Sequence, residues 1–240
     1  MFPSKSIKSL DMLNKIFESI PENGITPAEL RRKIGVRSQR EIYAEIALLV
    51  YLDKIERRGR GKNLRYMKKS NELNLLVSLL SKDEPLKAYS FVLAKRKTRK
   101  EVTNWVYGNT ASTNLSRITA MMKLGRLLDL VITYGGYKVK KDKAVKLFER
   151  LLEEIYFKKV KESGLEIVDL GTLRNEIKKF VPDMDKKMFD ELILELSKSR
   201  EDLKLFPAPA VDDNILRDGI QTSEGVLYHL KLDSSRWGLK

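Results

Sequence analysis

The chain has 240 residues, of which 42% are hydrophobic and 33% charged, a balance that excludes a disordered chain and allows two or three domains. The 47 Lys and Arg outnumber the 33 Asp and Glu, and the formal net charge of +14 favours binding to polyanions. The absence of cysteine excludes disulfides, thiol catalysis and Cys-ligated metals, and a single histidine, His229, argues against a His-rich metal site.

Three helices are predicted in the first 55 residues. Between residues 10 and 20, apolar side chains recur every three or four positions, which is the period of a buried helix face. The segment 26–35 begins with Thr-Pro and ends with Gly, the usual start and stop signals of a short helix. A third helix is predicted to start at Ser38, because Glu41 lies at capping-box spacing from it. Helices joined by a tight glycine-containing turn predict a helix-turn-helix core.

A β-hairpin is predicted directly after this core. Ile55 and then Leu64 and Tyr66 flank the loop "GRGKN", whose glycines suit a hairpin turn. With this order of elements, residues 8–69 resemble the winged helix-turn-helix family, in which such a hairpin is called the wing. The resemblance implies that the third helix is a recognition helix that enters the major groove of DNA, while the wing lies along the backbone or minor groove.

Residues 85–141 repeat the same order of predicted elements. An apolar first helix is followed by a helix that starts at Thr98, with Glu101 at capping-box spacing, and by a longer helix over about residues 110–130. A second winged helix is therefore predicted over 85–141. The leucine-rich residues 71–84 are predicted to form one helix that links the two domains.

The segment "VITYGGYKVKK" predicts the second hairpin, with a two-residue Gly-Gly turn. This turn would place Tyr134 opposite Tyr137 and Ile132 opposite Val139, with all four side chains on one face. The aromatic residues of this domain, including Trp105, have two possible roles: they could stack on unpaired bases of a single strand, or they could pack in the core. Their apolar periodicity favours packing in the core.

The C-terminal part of the chain predicts a different role. A long amphipathic helix over 142–164 would bridge domains or pair with a second copy. Residues 165–240 predict a third winged-helix-like domain. Its large loop, "APAVDDNILRDGIQTSEG", is acidic, so this loop would repel phosphate. We therefore expect residues 142–231 to bind a protein partner or to self-associate. The candidate contacts are Phe206, Ile215 and Leu216.

The charge distribution supports this division. Residues 1–70 carry 16 basic and 8 acidic side chains, and residues 71–141 carry 13 and 5, so each segment has a net charge of +8. Residues 165–231 carry 10 and 14, a net charge of −4. A polyanion is therefore expected to bind the first 141 residues.

Candidate DNA contacts follow from the positions that the family resemblance assigns to the recognition helices and wings. Arg can bind guanine bidentately and Gln can bind adenine, so polar residues on the outer helix faces are the predicted base contacts. These are Gln39, Arg40, Tyr43, Thr113, Asn114 and Arg117. The predicted phosphate contacts, which position the protein without reading sequence, are Arg37, Arg57, Arg58, Arg60, Lys62, Arg65, Arg96, Lys97, Arg99, Lys100 and Lys138. Any one of these cations could be a solvated surface charge. Their clustering, with no acid after Glu56 in the first wing, favours phosphate binding.

The predicted fold class is mainly α with small β-hairpin wings, arranged as tandem winged helix-turn-helix domains. The predicted function is non-enzymatic binding of double-stranded DNA, in a transcription regulator or in a replication or segregation origin-binding factor like some archaeal and plasmid tandem winged-helix proteins. An alternative is a scaffold subunit whose winged helices bind only proteins. A more distant one is a metal-dependent nuclease built on Asp169, Glu176 and Lys178, which the predicted helix around the last two disfavours.

No cofactor and no metal are expected. No apolar run reaches the length that spans a bilayer, and the first ten residues lack the apolar core of a signal peptide. The expected location is the cytoplasm, in association with the nucleoid.

Overall fold

The computed structural model describes residues 1–109, 115–208 and 212–233. These residues are mainly helical with small antiparallel sheets, which confirms the coarse fold class predicted from the sequence. The chain divides into two compact units. The first unit comprises Met1–Val92 and Arg96–Lys140, and the second unit comprises Leu93–Lys95 and Lys141–Lys240.

The first unit combines helices with two short antiparallel hairpins. Its helices are α1 (Leu10–Ser19), α2 (Pro27–Ile34), α3 (Tyr43–Tyr51), α4 (Leu75–Leu80), α5 (Asp83–Phe91), α6 (Arg99–Asn109) and α7 (Leu115–Leu127). The first hairpin pairs β1 (Ile55–Arg58) with β2 (Arg65–Lys68), and the second hairpin pairs β3 (Val131–Ile132) with β4 (Lys138–Val139). We refer to residues 1–70 as the first half of this unit and to residues 85–140 as its second half.

Local signals in the sequence explain the early helices. Thr26 starts α2 through a capping box: its hydroxyl accepts the Glu29 backbone N–H at 3.3 Å, and the Glu29 carboxylate accepts the Thr26 backbone N–H at 2.8 Å. Gly35 ends the helix in the left-handed conformation, with φ of 81°. The predicted helix from Ser38 differs in its first turn. Residues Gln39–Glu41 form a 3-10 turn, and the α-helix begins only at Tyr43 because Ile42 has a non-helical backbone.

The single linking helix predicted over 71–84 is wrong. The chain forms α4 and then restarts as α5, with Lys82 in an extended conformation between them. A continuous helix could not pass through this segment, because the Pro85 ring would clash with the carbonyl group of Ser81, four residues earlier. In α5, Pro85 lies within the first turn, where a helix tolerates proline.

The predicted register of the second hairpin is also wrong. Val131 pairs with Val139 and Ile132 with Lys138, one residue away from the predicted alignment. The cause is a contact distant in sequence: Tyr137 exchanges two backbone hydrogen bonds with Lys97, of 2.7 and 2.9 Å, which fixes it against the start of the second half. The four predicted core side chains therefore do not share a face.

Exposure confirms this correction. Val139 is buried, whereas Ile132 is 37% exposed and Tyr134 is 89% exposed. The expectation that the aromatic residues pack in the core is thus wrong for Tyr134. Trp105 is half-buried and stacks on the buried Phe91 ring with a ring-centroid distance of 4.7 Å.

The N-terminal segment packs between the two halves of the first unit. Phe2 and Ile7 are buried, and together with Leu48 of α3 and Leu124 of α7 they line one small cavity. Two buried carboxylates hold this segment. Glu84 accepts the Phe2 backbone N–H and Glu45 accepts the Lys8 backbone N–H, each at 2.7 Å.

The second unit is built around one long helix and a four-stranded antiparallel sheet. Its helices are α8 (Lys141–Ser163), α9 (Leu170–Lys178), α10 (Lys186–Ser199) and α11 (Asp213–Asp218). Its strands are β5 (Val168–Asp169), β6 (Leu203–Pro207), β7 (Ile220–Thr222) and β8 (Gly225–Leu232), and β8 pairs with each of the other three. The long amphipathic helix predicted over 142–164 is confirmed, and Phe148 on its buried face meets Phe189 of α10 edge-on at 5.8 Å. No helix within the described ranges is long and apolar enough to cross a membrane.

Candidate nucleic-acid interface

The first hairpin is fixed to the rest of its half at two places. Tyr66 exchanges two backbone hydrogen bonds with Ile25, of 2.8 and 2.9 Å, so Ile25 adds a third extended segment beside β2. The Tyr66 side chain is buried, and this burial raises the pKa of its hydroxyl. That hydroxyl accepts a hydrogen bond from the Gln39 side-chain amide at 2.9 Å. The second strand of the hairpin is therefore held against the turn that precedes α3.

The tip of the first hairpin depends on glycine. Gly59 has φ of 76°, and a Cβ atom at this position would lie 2.3 Å from the Asn63 carbonyl oxygen. Only glycine fits such a close approach of two backbone segments. The chain therefore closes tightly here and continues through a 3-10 turn at Gly61–Asn63 into β2.

Five cations on the strands and tip of the first hairpin are exposed. They are Arg57, Arg58, Arg60, Lys62 and Arg65. Arg58 forms an ion pair with Glu56 at 2.7 Å, and because the pair is solvent-exposed it contributes little to stability. Among the described residues no carboxylate lies within ion-pair distance of the other four. Four cations in one short hairpin thus form no ion pair, although the charge of Glu29 is near enough to interact with that of Arg65.

The predicted contacts at the start of α3 differ in how available they are. Arg37 and Arg40 are exposed, and Tyr43 is 54% exposed with the Lys5 ammonium 5.5 Å from its ring centre. Gln39 is only half-exposed, and its amide N–H already binds Tyr66. The structure gives Gln39 a role in holding the hairpin, in addition to the base contact that the sequence predicts.

The predicted contacts of the second half are more dispersed. Arg96 donates a hydrogen bond to the Tyr134 carbonyl oxygen at 3.0 Å, and the Lys97 ammonium lies 5.0 Å from the centre of the Phe91 ring. Both side chains thereby contribute contacts within the second half. Lys100 and Lys138 are exposed, while Arg117 is half-buried and its Nε has no hydrogen-bond partner among the residues that the structure describes. Thr113 and Asn114 lie outside the described residues.

Two cations that sequence reasoning missed lie beside Arg99. Lys123 and Arg126 of α7 line, together with Arg99, a surface cleft of about 460 Å³ next to the turn of the second hairpin. The sequence signal that could have found them is their spacing of three residues, which places both on one side of α7. Their approach to Arg99, more than twenty residues earlier in the chain, is visible only in the fold.

The candidate partner contacts of the second unit lie at and near the acidic loop. Leu216 on α11 is 42% exposed, and Phe206 and Ile215 are half-buried. Two acids of this loop have structural partners. Asp212 accepts the Ile215 backbone N–H at 2.8 Å and so starts α11, and Asp218 binds the buried Arg174 guanidinium at 2.6 Å. Part of the negative charge of this loop therefore stabilises the unit itself.

Both acids of the nuclease alternative form bonds within the fold. Asp169 accepts the Thr172 backbone N–H at 2.6 Å and starts α9. Glu176 binds the ammonium groups of Lys179 and Lys159, and these bonds lower the pKa of its carboxyl group. Within the part of the chain that the structure describes, no group of three acidic or histidine side chains is placed to hold a metal ion.

No protein-family model matches this chain, and no curated protein matches its sequence.

Proposed function

We propose that the protein binds double-stranded DNA through its first unit, and that the two halves of this unit are tandem winged helix-turn-helix domains. The order of elements supports the second part of the proposal. Helices α1, α2 and α3 precede the first hairpin, and helices α5, α6 and α7 precede the second. In each half the hairpin directly follows the helix that would enter the major groove.

The observation that carries the DNA-binding proposal is the set of exposed cations on the first hairpin that form no ion pair. These are Arg57, Arg60, Lys62 and Arg65, and the Gln39–Tyr66 hydrogen bond joins their hairpin to the start of α3. A solvated surface normally mixes charges of both signs, whereas this hairpin offers a run of cations at a fixed distance from a helix start. Such an arrangement suits the regularly spaced phosphates of a DNA backbone.

The proposed biological role is that of a transcription regulator or a replication or segregation origin-binding factor, associated with the nucleoid in the cytoplasm. In this proposal the second unit binds a partner protein or a second copy of the chain. The net charge of −4 on residues 165–231 would keep this part of the second unit away from the DNA, so that it remains accessible to that partner.

Salt-dependent binding of the full-length chain to a fluorescent 25-base-pair duplex tests the proposal. If Arg37 and Arg58 join the other four hairpin cations in contacting phosphates, the slope of log K against log salt is about −5. Affinity then falls about a thousandfold between 50 and 200 mM salt. Binding that does not depend on salt, or no binding at 50 mM, would overturn the proposal and favour a scaffold that binds only proteins. Selection of duplexes from a random pool then shows whether bases are read.

A further inference from the structure

The cleft beside the second hairpin, which we call the α6–α7 cleft, has a strongly one-sided charge. Its walls come from the start of α6, the middle of α7 and the turn of the second hairpin. The lining residues are Thr98, Arg99, Thr119, Lys123, Arg126, Thr133, Gly135, Gly136 and Tyr137. Three of these are cations from two helices, and none is an acid. Among the described residues none of the three cations lies within ion-pair distance of a carboxylate.

Arg99 is oriented before any ligand arrives. Its guanidinium donates one hydrogen bond to the Thr119 hydroxyl at 3.0 Å, and that hydroxyl in turn donates to the Leu115 carbonyl oxygen at 3.0 Å. A guanidinium has five N–H donors, so most of them stay free. This chain of bonds holds a planar, charged donor at the edge of the cleft, and such a donor binds two phosphate oxygens at once.

The hairpin turn forms the opposite wall and brings its backbone close to the cleft. Gly135 and Gly136 have φ of 66° and 114°, and a Cβ atom on Gly136 would lie 2.6 Å from the Lys97 carbonyl oxygen. The turn therefore requires glycine and adds no side chain that would fill the cleft. Nearby, the Thr133 hydroxyl has no hydrogen-bond partner among the described residues, so it can donate to a ligand.

We propose that the α6–α7 cleft is a binding site for a phosphate group. Bringing three cations together without an acid is unfavourable, because like charges repel and no partner compensates them. A phosphate removes this repulsion and accepts hydrogen bonds from the Arg99 guanidinium and the Lys123 ammonium. The volume of about 460 Å³ accommodates more than one phosphate, as in a diphosphate or a stretch of nucleic-acid backbone.

The phosphate could come from the DNA backbone, in which case the site deepens the proposed function, or from a free nucleotide. Two probes distinguish these sources in the full-length chain. Calorimetry with inorganic pyrophosphate and with ATP detects a free-phosphate site in the absence of DNA. Titration of a 25-base-pair duplex at several salt concentrations detects contacts to the DNA backbone.

The test variant removes two cleft cations, Lys123→Ala with Arg126→Ala, and leaves Arg99 with its structural bond. The matched control, Lys161→Ala with Lys178→Ala, removes two exposed charges from the second unit. A conservative variant, Lys123→Arg with Arg126→Lys, keeps both charges in the cleft and is expected to bind as the unsubstituted chain does. Thermal unfolding monitored by circular dichroism verifies that all three variants fold.

We expect one of two results. If the DNA backbone is the source, the cleft variant binds duplex about tenfold more weakly at 150 mM salt, and its salt slope is smaller by up to about two. If a free nucleotide is the source, pyrophosphate or ATP binds the unsubstituted chain and not the cleft variant. The site is refuted if the cleft variant and the control behave alike with every probe. If the unsubstituted chain binds no duplex, the proposed function is wrong. The binding of pyrophosphate and ATP then determines by itself whether the cleft is a phosphate site.

Discussion

Gln39 and Tyr66, 27 residues apart, join the turn before α3 to the second strand of the first hairpin through one hydrogen bond of 2.9 Å. The Tyr66 ring is buried and pairs across the strands with Arg57, so the bond lies on the protein side of the hairpin, while the cations are exposed to solvent. Together with the backbone hydrogen bonds between Tyr66 and Ile25, this contact sets the angle between a helix that would read bases and a hairpin that would hold phosphates.

Replacing Tyr66 by Phe is expected to lower the free energy of unfolding by about 1 kcal/mol, because a neutral hydrogen bond is lost while the buried ring remains. Urea unfolding of Tyr66→Phe, Gln39→Ala and the double variant measures the coupling between the two side chains. We expect the two single effects to overlap in the double variant. Strictly additive effects would show that the bond contributes nothing.

Removing hairpin cations is expected to weaken DNA binding without affecting stability. The variant Arg57→Ala, Arg60→Ala, Lys62→Ala loses three exposed cations that lack acidic partners, so affinity should fall for all duplex sequences. The salt slope should become smaller by up to about three. The matched control, Lys161→Ala, Lys178→Ala, Lys198→Ala, removes three exposed charges from the second unit. Equal losses in both variants would mean that net charge alone, and not the hairpin, attracts DNA.

The two glycines of the first hairpin offer a test of geometry that leaves charge unchanged. Gly59→Ala would place a Cβ atom 2.3 Å from the Asn63 carbonyl oxygen, so the hairpin tip must rearrange. Gly61 also has a positive φ, of 55°, but a Cβ atom there meets nothing within 4 Å, and Gly61→Ala should cost only about 1 kcal/mol. We expect duplex affinity to fall clearly more for Gly59→Ala than for Gly61→Ala. Titration of the fluorescent duplex, followed by anisotropy, measures both affinities. Similar affinities of the two variants would argue against a role for hairpin shape.

The stability of the second unit is expected to depend on pH through Asp218. Hydrogen bonds from Arg217 and Arg174 lower the pKa of this carboxyl group in the folded state. Its stabilising contribution is therefore complete above the unfolded pKa of about 3.9 and is lost as the pH falls through the lower, folded value. At pH 7, Arg174→Ala should lower the free energy of unfolding by about 2 kcal/mol, because the buried bond to Asp218 is lost.

Arg217→Ala is the matched control for this prediction, since that guanidinium is largely exposed and its contact with Asp218 is longer, at 3.2 Å. It should cost less than about 1 kcal/mol. Urea unfolding at pH 7 and at pH 3 measures both effects. A penalty for Arg174→Ala that does not shrink at the lower pH would show that Asp218 is not the group responsible.

The sequence predicts those parts of the fold that local signals determine. The start and end of α2 follow from Thr26 and Gly35, which cap the helix within a few residues of themselves. The register of the second hairpin could not be predicted, because the backbone of Tyr137 is held by Lys97, forty residues away. For the same reason Gln39 gives no sequence signal of its bond to Tyr66. Exposed cations are visible in the sequence, whereas the approach of Arg99 to the cations of α7 depends on the packed helices.

The buried N-terminal segment has a consequence for how the first unit unfolds. Phe2 lines a small cavity with Leu124 of the second half, while its ring meets Tyr51 of the first half edge-on at 5.3 Å. In the segment that joins the halves, Glu84 accepts the Phe2 backbone N–H, and Lys82 pairs with Asp53 at 2.5 Å. The two halves should therefore melt as one cooperative block. If both halves bind the same duplex, the packing between them, and not the length of a linker, fixes the distance between their two contacts with DNA. When a few base pairs are inserted between the two contacted segments of the duplex, one of the two halves should therefore lose its contact.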